Sequence, residues 1–153
     1  MSNRQHSESI VIAGSSEDVY DMVADVTRMG EWSPVCKASW WHEGDGPTVG
    51  AHFTGRNELE DRTWEMECEV VAADRPKEFA WVTMTGTRWG YAFRPVDGGT
   101  EVTESWEFTP KTDAIFKERF GDDAENQTQA RYELARTGIP ATLAAIKKSA
   151  EAN

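Results

Sequence analysis

Residues 87–108 read TRWGYAFRPVDGGTEVTESWEF, and their alternation decides the fold class. Bulky apolar side chains occupy every second position on both sides of an Asp-Gly-Gly turn at residues 97–99. Strict alternation around such a turn predicts two antiparallel strands, each with one face toward the interior. Glu104 shares its face with Val102 and Trp106. Because a carboxylate on an inward face must be paired, protonated or hydrated, this position indicates an internal pocket.

The segments before this hairpin extend the strand pattern. Period-two alternation or a short apolar run predicts five earlier strands, at residues 7–12, 35–42, 51–59, 63–71 and 77–83. Between the first and the second, apolar side chains at helical spacing follow Ser15, a residue suited to cap a helix N-terminus. The pattern predicts two short helices there, the second over residues 26–31, before Pro34 ends them.

The C-terminal part of the chain is helical by its spacing. Residues 111–120 suit a helix or a loop, and residues 126–150 predict a long helix with Pro140 near its middle, where we expect a kink. Its apolar stripe consists of Ala135, Ile139, Thr142, Leu143, Ile146 and Ala150. At 1.5 Å per residue, a helix of this length, roughly 37 Å, spans a whole sheet.

This order of elements predicts one α+β domain over residues 7–150, preceded by a flexible tail at residues 1–6. About seven strands form a curved antiparallel sheet that wraps around the long C-terminal helix, with two short helices after the first strand. The space between the sheet and the long helix is either a packed core or a cavity. Seven tryptophans, most of them in strand patterns, suit both alternatives.

Charge and hydropathy restrict the possible partners. The chain of 153 residues carries 27 acidic and 16 basic residues, a net charge of -11, and its mean hydropathy is -0.63. Such a surface repels nucleic acid, and no apolar stretch is long enough for membrane insertion. We therefore expect a cytoplasmic protein with no nucleic-acid partner and no stable membrane insertion. The acidic outer face favours a monomer, and a homodimer through an edge strand or loops stays possible.

Metal and cofactor motifs are missing from the sequence. Cys36 and Cys68 are far apart and lack metal-ligand spacing, so we expect two buried thiols. No two of the three histidines have metal-ligand spacing with a carboxylate, and no glycine-rich nucleotide motif occurs in a strand-to-helix context. The sequence therefore predicts no metal and no organic cofactor.

Four motifs carry a resemblance to a known superfamily. They are VYDMVAD at residues 19–25, EWSP at 31–34, VGAHF at 49–53 and GGTEVTE at 98–104. Together with the order of elements, over about residues 7–147, the chain resembles the START-like (SRPBCC) superfamily and is most similar to its small bacterial polyketide cyclase/dehydrase-like members. The resemblance implies a helix-grip fold that binds a hydrophobic molecule between sheet and helix. It implies no shared catalytic residues.

Glu104 is the first candidate functional residue, as a polar anchor for a ligand or as a general acid/base. A structural role stays equally open, in which the carboxylate bonds to Asn57 or water near the cavity rim and fixes the sheet. Asn57 shares a face with Phe53 and is expected to point inward, as a partner of Glu104 or of a ligand. His42 is a second candidate base if Lys37 and Ser39 face water, since it would then face inward. The predicted cavity wall and helical lid together comprise Phe53, Asn57, Trp64, Met66, Trp81, Trp89, Tyr91, Glu104, Trp106, Tyr132, Ile139 and Leu143.

Three functions are consistent with these residues. The first is binding, transport or sequestration of a small hydrophobic ligand such as a lipid, a polyketide or a phenolic metabolite. The second is a polyketide cyclase/dehydrase-type enzyme, an aromatase or cyclase that uses Glu104 as its acid/base. The third is a protein-interaction module in which side chains fill the core.

Overall fold

The computed structural model describes residues 3–152. Seven strands and three α-helices follow one another with two short 3-10 helices between them. In chain order the elements are β1 (Gln5–Ile12), α1 (Ser16–Ala24), a 3-10 helix (Val26–Glu31), β2 (Cys36–Trp41), β3 (His52–Leu59), β4 (Arg62–Asp74), β5 (Glu78–Thr83), β6 (Arg88–Val96), β7 (Gly99–Glu107), α2 (Pro110–Phe120), a second 3-10 helix (Gly121–Asp123) and α3 (Ala124–Glu151).

The strands form one antiparallel sheet in the order β1-β7-β6-β5-β4-β3-β2. Strands β2 to β7 are sequential hairpins, and β1 completes the sheet beside β7. The β6–β7 turn uses Gly98 and Gly99 at positive φ. A Cβ atom on Gly99 would lie 2.0 Å from the carbonyl oxygen of Ile12, so only glycine lets β1 approach this turn. The predicted α+β fold with a seven-stranded sheet is confirmed.

The long helix α3 lies across the sheet and is anchored to β1. Lys147 Nζ donates to the Val11 carbonyl at 2.8 Å, and the Glu151 carboxylate accepts from the Ala13 amide at 2.9 Å. The helix continues on both sides of Pro140. Helix α2 is a helix and not a loop, with Thr109 as its N-cap and Pro110 in its first turn. In residues 3–152 no helix is both long and apolar enough to cross a bilayer.

Two local predictions need correction. Strand β1 begins at Gln5, and Arg4 forms an ion pair with Asp113, so the predicted tail is ordered from residue 3 onward; residues 1 and 2 lie outside the described part. In β2 the register shifts between Cys36 and Ala38. This bulge turns Ser39 inward and leaves Trp40 39% exposed, so the inward orientation considered for Ala38, Trp40 and His42 is wrong.

The interior is densely packed at one end, which we call the packed end. There α1 lies on β5, β6, β7 and α3. The Tyr20 ring meets Phe79 and Phe93 edge-on, at 6.3 and 5.3 Å between centroids. The other fully enclosed side chains of this end are Ile12, Val19, Val23, Val102, Ile139, Leu143 and Ile146.

Candidate ligand-binding cavity

A cavity of about 420 Å³ lies between the sheet and helices α2 and α3. Every strand except β1 contributes to its wall, and the first 3-10 helix adds Met29. This volume is within the usual range for small-molecule sites. The interior is therefore hollow beneath the face of α3 that carries Arg131, Ala135 and Thr142, unlike the filled core that a protein-interaction module was expected to have.

Small side chains on α3 keep this space open. Ala135, Gly138 and Thr142 face the cavity at helical spacing, and Gly55 of β3 forms part of the opposite wall. A Cβ atom added to Gly138 would meet no atom closer than the Pro34 Cγ at 3.6 Å. Glycine in a helix interior costs about 1 kcal/mol relative to alanine. Space, and not close packing, therefore distinguishes this stretch of α3.

Aromatic rings form most of the apolar wall. Phe53 meets Trp81 edge-on at 5.6 Å between centroids, and Trp81 is tilted against Tyr91 at 6.0 Å. Trp106 continues this wall toward Phe108 at 4.8 Å. Four of the seven tryptophans line the cavity, namely Trp64, Trp81, Trp89 and Trp106. Flat or aliphatic groups would find ring faces and edges on several sides.

Nine of the twelve residues predicted for the wall and lid line the cavity: Phe53, Asn57, Trp64, Met66, Trp81, Trp89, Tyr91, Glu104 and Trp106. The three helical residues do not. Ile139 and Leu143 are 1% and 2% exposed and belong to the apolar core cluster. They occupy a stripe of α3 that is displaced around the helix from the stripe facing the cavity. Tyr132 lies in a separate surface pocket, with its ring against His6 and Trp106.

Glu104 lies on the inner wall of the cavity and is 3% exposed. Burial raises the pKa of its carboxyl group to about 8, and a hydrogen bond from the neighbouring Tyr91 hydroxyl offsets part of this shift. Its Oε1 atom is buried with no hydrogen-bond partner within the described residues. Nor does a hydrogen bond join it to Asn57 anywhere in residues 3–152, although both line the cavity. The carboxyl group is therefore mostly protonated at pH 7, with one oxygen unused.

Tyr91 and the two cysteines are the other titratable groups of the inner wall. Burial, together with the Glu104 carboxyl group, raises the pKa of the Tyr91 hydroxyl well above its usual value. Burial raises the pKa of the Cys36 thiol, and it raises the pKa of Cys68 to about 12. Both thiols are free, as predicted. The inner wall is consequently uncharged at neutral pH.

His42 does not line the cavity. Its Nε2 lies 3.0 Å from the Thr54 hydroxyl and 3.8 Å from the Glu67 carboxylate, and its ring stacks on His52 at 5.9 Å. These contacts place it on the outward face of the sheet. Within the described residues, no group of three or more histidine, cysteine or acidic side chains is arranged to hold a metal ion.

Three arginines at the rim are site residues that the sequence did not indicate. Arg62 begins β4, Arg119 lies near the end of α2, and Arg131 lies in the first half of α3. Arg131 shares its helical spacing with Ala135 and Gly138, a signal that could have placed it on the cavity face. Arg62 lies two residues before Trp64, in phase with the face that alternation assigns to the interior, and Arg119 lies three residues after Phe116 on α2. Only tertiary folding brings the three side chains to one rim.

The family model described as "Polyketide cyclase / dehydrase and lipid transport" matches residues 4–144, nearly the whole chain. The chain belongs to this family. The matched residues include every strand and helix α2, and they extend through most of α3. Among curated proteins, no sequence matches the chain.

Solved structures of the same architecture include a protein with nearly half of its residues identical. The solution NMR structure of the Polyketide_cyc-like protein Cgl2372 from Corynebacterium glutamicum is 47% identical, with a TM-score of 0.69 over 95% of this chain and 90% of that one. The di-domain ARO/CYC protein StfQ, from the steffimycin biosynthetic pathway, has a TM-score of 0.72 at 14% identity. The match covers 98% of this chain and 52% of StfQ. Protein MLL2253 from Mesorhizobium loti is 15% identical, with a TM-score of 0.67 over 95% of both chains.

Proposed function

We propose that the protein binds a small hydrophobic ligand in the cavity between its sheet and α3, and carries or sequesters it. Lipids, polyketides and phenolic metabolites have the required apolar body. The observation that supports this most directly is a cavity of about 420 Å³ whose inner wall contains a buried carboxyl oxygen without a hydrogen-bond partner. Because a buried polar atom is normally satisfied, Oε1 of Glu104 suits a ligand hydroxyl or other donor group.

The wall explains how such a ligand would be held. Apolar surface that leaves water contributes about 25 cal/mol per Å², and the aromatic residues supply most of the contact area. Glu104 is neutral at pH 7, so its carboxyl group can both donate and accept a hydrogen bond. Asn57, on β3, offers an amide to a second polar group of the ligand. Apolar contacts thus provide affinity, and two polar side chains provide orientation.

The surface charge supports the remaining parts of this proposal. A net charge of -11 disfavours nucleic acid as a partner and suits a cytoplasmic protein. We propose that the protein works as a monomer or a homodimer, which leaves the cavity of each chain complete.

Intrinsic tryptophan fluorescence tests ligand binding, because four tryptophans line the cavity. We expect saturable quenching by at least one class among fatty acids, flavonoids, sterols and aromatic polyketides. Gly138→Leu should abolish this quenching by filling the space, whereas Ala141→Leu, on the exposed side of the same helix, should not. Quenching that survives Gly138→Leu unchanged would place the ligand elsewhere, and no quenching in the wild type would contradict the proposal.

Acid–base catalysis is a second candidate, favoured by the Glu104 pKa of about 8 in an apolar cavity. A carboxyl group that titrates near neutral pH can transfer protons to and from a bound carbonyl compound, with an effect of about 10²–10⁴-fold on rate. An aromatase or cyclase of this type would still depend mainly on folding its substrate into shape. Glu104→Gln should then abolish turnover and retain binding, whereas in a carrier it should alter affinity alone.

A further inference from the structure

Three arginines at the rim of the cavity differ from all the others in the chain. The chain has ten arginines, all within residues 3–152, and seven of them form an ion pair with a carboxylate: Arg4, Arg28, Arg56, Arg75, Arg88, Arg94 and Arg136. Arg62, Arg119 and Arg131 have no carboxylate oxygen within 4.0 Å in the described residues. These same three line the cavity.

Aromatic and amide contacts hold two of these side chains. The Arg62 guanidinium lies 4.5 Å from the Trp64 ring centroid, and that of Arg131 lies 5.3 Å from Phe116. Arg131 Nη1 also donates to the Gln127 side-chain oxygen at 2.7 Å. Contacts of this kind orient a guanidinium group without neutralising its charge. The remaining N–H donors stay available for an anion.

The three charges act on one another. Burial, followed by the nearby charges of Arg62 and Arg119, lowers the pKa of the Arg131 guanidinium. A cluster of like charges is unfavourable in the free protein. The chain has 27 acidic residues, yet none of them forms an ion pair with these three arginines within the described residues. A bound anion would remove this repulsion through charge-assisted hydrogen bonds.

The two ends of the cavity therefore differ in chemistry. The rim is cationic and reaches solvent, since Arg62 and Arg119 are exposed. The inner wall is apolar and uncharged, apart from the buried Glu104 carboxyl group with its unpartnered oxygen. A ligand oriented by both ends would carry its charge outward and a hydroxyl or carbonyl group inward.

We propose that the ligand is an amphipathic anion, with its apolar body inside the cavity and a carboxylate or phosphate group at Arg62, Arg119 and Arg131. This inference rests on the proposed ligand-binding function and specifies the class of its ligand. Guanidinium groups bind both anions through paired N–H donors, so carboxylate and phosphate share the chemistry the rim recognises.

Three compounds with one alkyl chain test the head group: decanoic acid, decyl phosphate and 1-decanol. Their affinities for the full chain are measured at pH 7 by tryptophan fluorescence. We expect the two anions to bind at least about tenfold more tightly than the alcohol, because charge-assisted hydrogen bonds are the strong ones. Raising the ionic strength to 1 M should weaken the anions and leave the alcohol nearly unchanged, since salt screens charges near the surface. The ratio of the affinities for the two anions identifies the preferred head group, carboxylate or phosphate.

Single substitutions locate the effect. The anion preference should fall several-fold in each of three variants, Arg62→Gln, Arg119→Gln and Arg131→Gln. Arg131→Lys should retain part of the preference. Arg94→Gln, which removes a paired arginine away from the cavity, should have no effect. Equal affinity of acid and alcohol for the wild type would overturn this inference and leave the ligand-binding proposal intact. Failure of all three compounds to bind would contradict both. An anion preference that persists in all three glutamine variants would also overturn it.

Discussion

Two faces of α3 meet two different interiors. One face carries Ile139, Leu143 and Ile146 into the packed end, where each is at most 2% exposed. The other face presents Arg131, Ala135 and Gly138 to an open cavity. One continuous helix therefore serves as a packing element along one face and as the cavity lid along another. Side-chain volume on the helix face decides which it is.

Polar chemistry follows the same division. The packed end contains few buried polar side chains: Thr100 bonds to Ser16 and the Gly14 carbonyl, whereas the Tyr20 hydroxyl is buried without a partner within the described residues. Around the cavity lie a carboxyl group with a raised pKa and three arginines without carboxylate partners. Groups that destabilise the free protein are thus concentrated where a ligand can satisfy them.

Two leucines of α3 give the largest expected contrast between its two faces. Leu143→Ala should cost about 3–4 kcal/mol in the free energy of unfolding, because it opens a void in the packed end. Leu134→Ala should cost only about 1 kcal/mol, since that side chain already borders the cavity. Urea unfolding measures both values. Equal costs would mean that the cavity end is packed as tightly as the other.

The pH dependence of stability isolates the buried Glu104 carboxyl group. Its pKa is about 8 in the folded protein against 4.5 in the unfolded chain, so the folded state binds more protons between these values. This contribution to stability is fully present below pH 4.5 and is lost as the pH rises through 8. Glu104→Gln should therefore gain stability over the wild type by roughly 3 kcal/mol between pH 5 and pH 8.

Chemical denaturation of both proteins at several pH values measures this difference. Tyr91→Phe serves as a control, because it keeps the ionisable group and removes its hydrogen-bond donor. A constant difference between Glu104→Gln and the wild type would show that Glu104 is ionised and solvated in the folded protein. The inner wall would then be hydrated and polar instead of apolar and uncharged.

Substitution of Gly138 has the smallest expected effect on stability, and it tests most directly whether the cavity has spare volume. Gly138→Ala should stabilise the protein by about 0.5–1 kcal/mol, because alanine has the higher helix propensity and the nearest atom leaves room for a Cβ. The same change should weaken ligand binding by reducing the cavity. Thermal unfolding and a fluorescence titration of the variant test the two effects, with Ala141→Gly as the exposed control on α3. A loss of stability on Gly138→Ala would mean that the site has no spare volume.

Local periodicity was sufficient to predict most of the sheet and the position of Glu104. The alternation around Val102 and Trp106 placed this carboxyl group inward, and it does line the cavity. The bulge beside Cys36 inverted the phase of β2, and a register shift of one residue leaves no mark in an alternating sequence. For this reason the alternation could not settle the orientation of His42, which lies on the outward face.

The helical part of the site was harder to predict. The predicted apolar stripe included Ala135 and Thr142, which do line the cavity. Its larger members Ile139 and Leu143 were predicted as lid residues instead, although they fill the core and leave no space open. The arginines were missed because an unpaired charge is a property of the folded chain. Arg136 pairs with Glu133, three residues earlier on the same helix, whereas nothing in the sequence shows that Arg62 lacks a carboxylate partner.

The two free thiols of the cavity wall affect how the cavity would react with an electrophilic ligand. Cys36 and Cys68 are buried, and their raised pKa values keep both as thiols, while thiolates are the form that attacks electrophiles. An enone or quinone held in this space would meet two sulfur atoms with little nucleophilic character. Under the proposed binding function, alkylation of either thiol by such a ligand would therefore be slow.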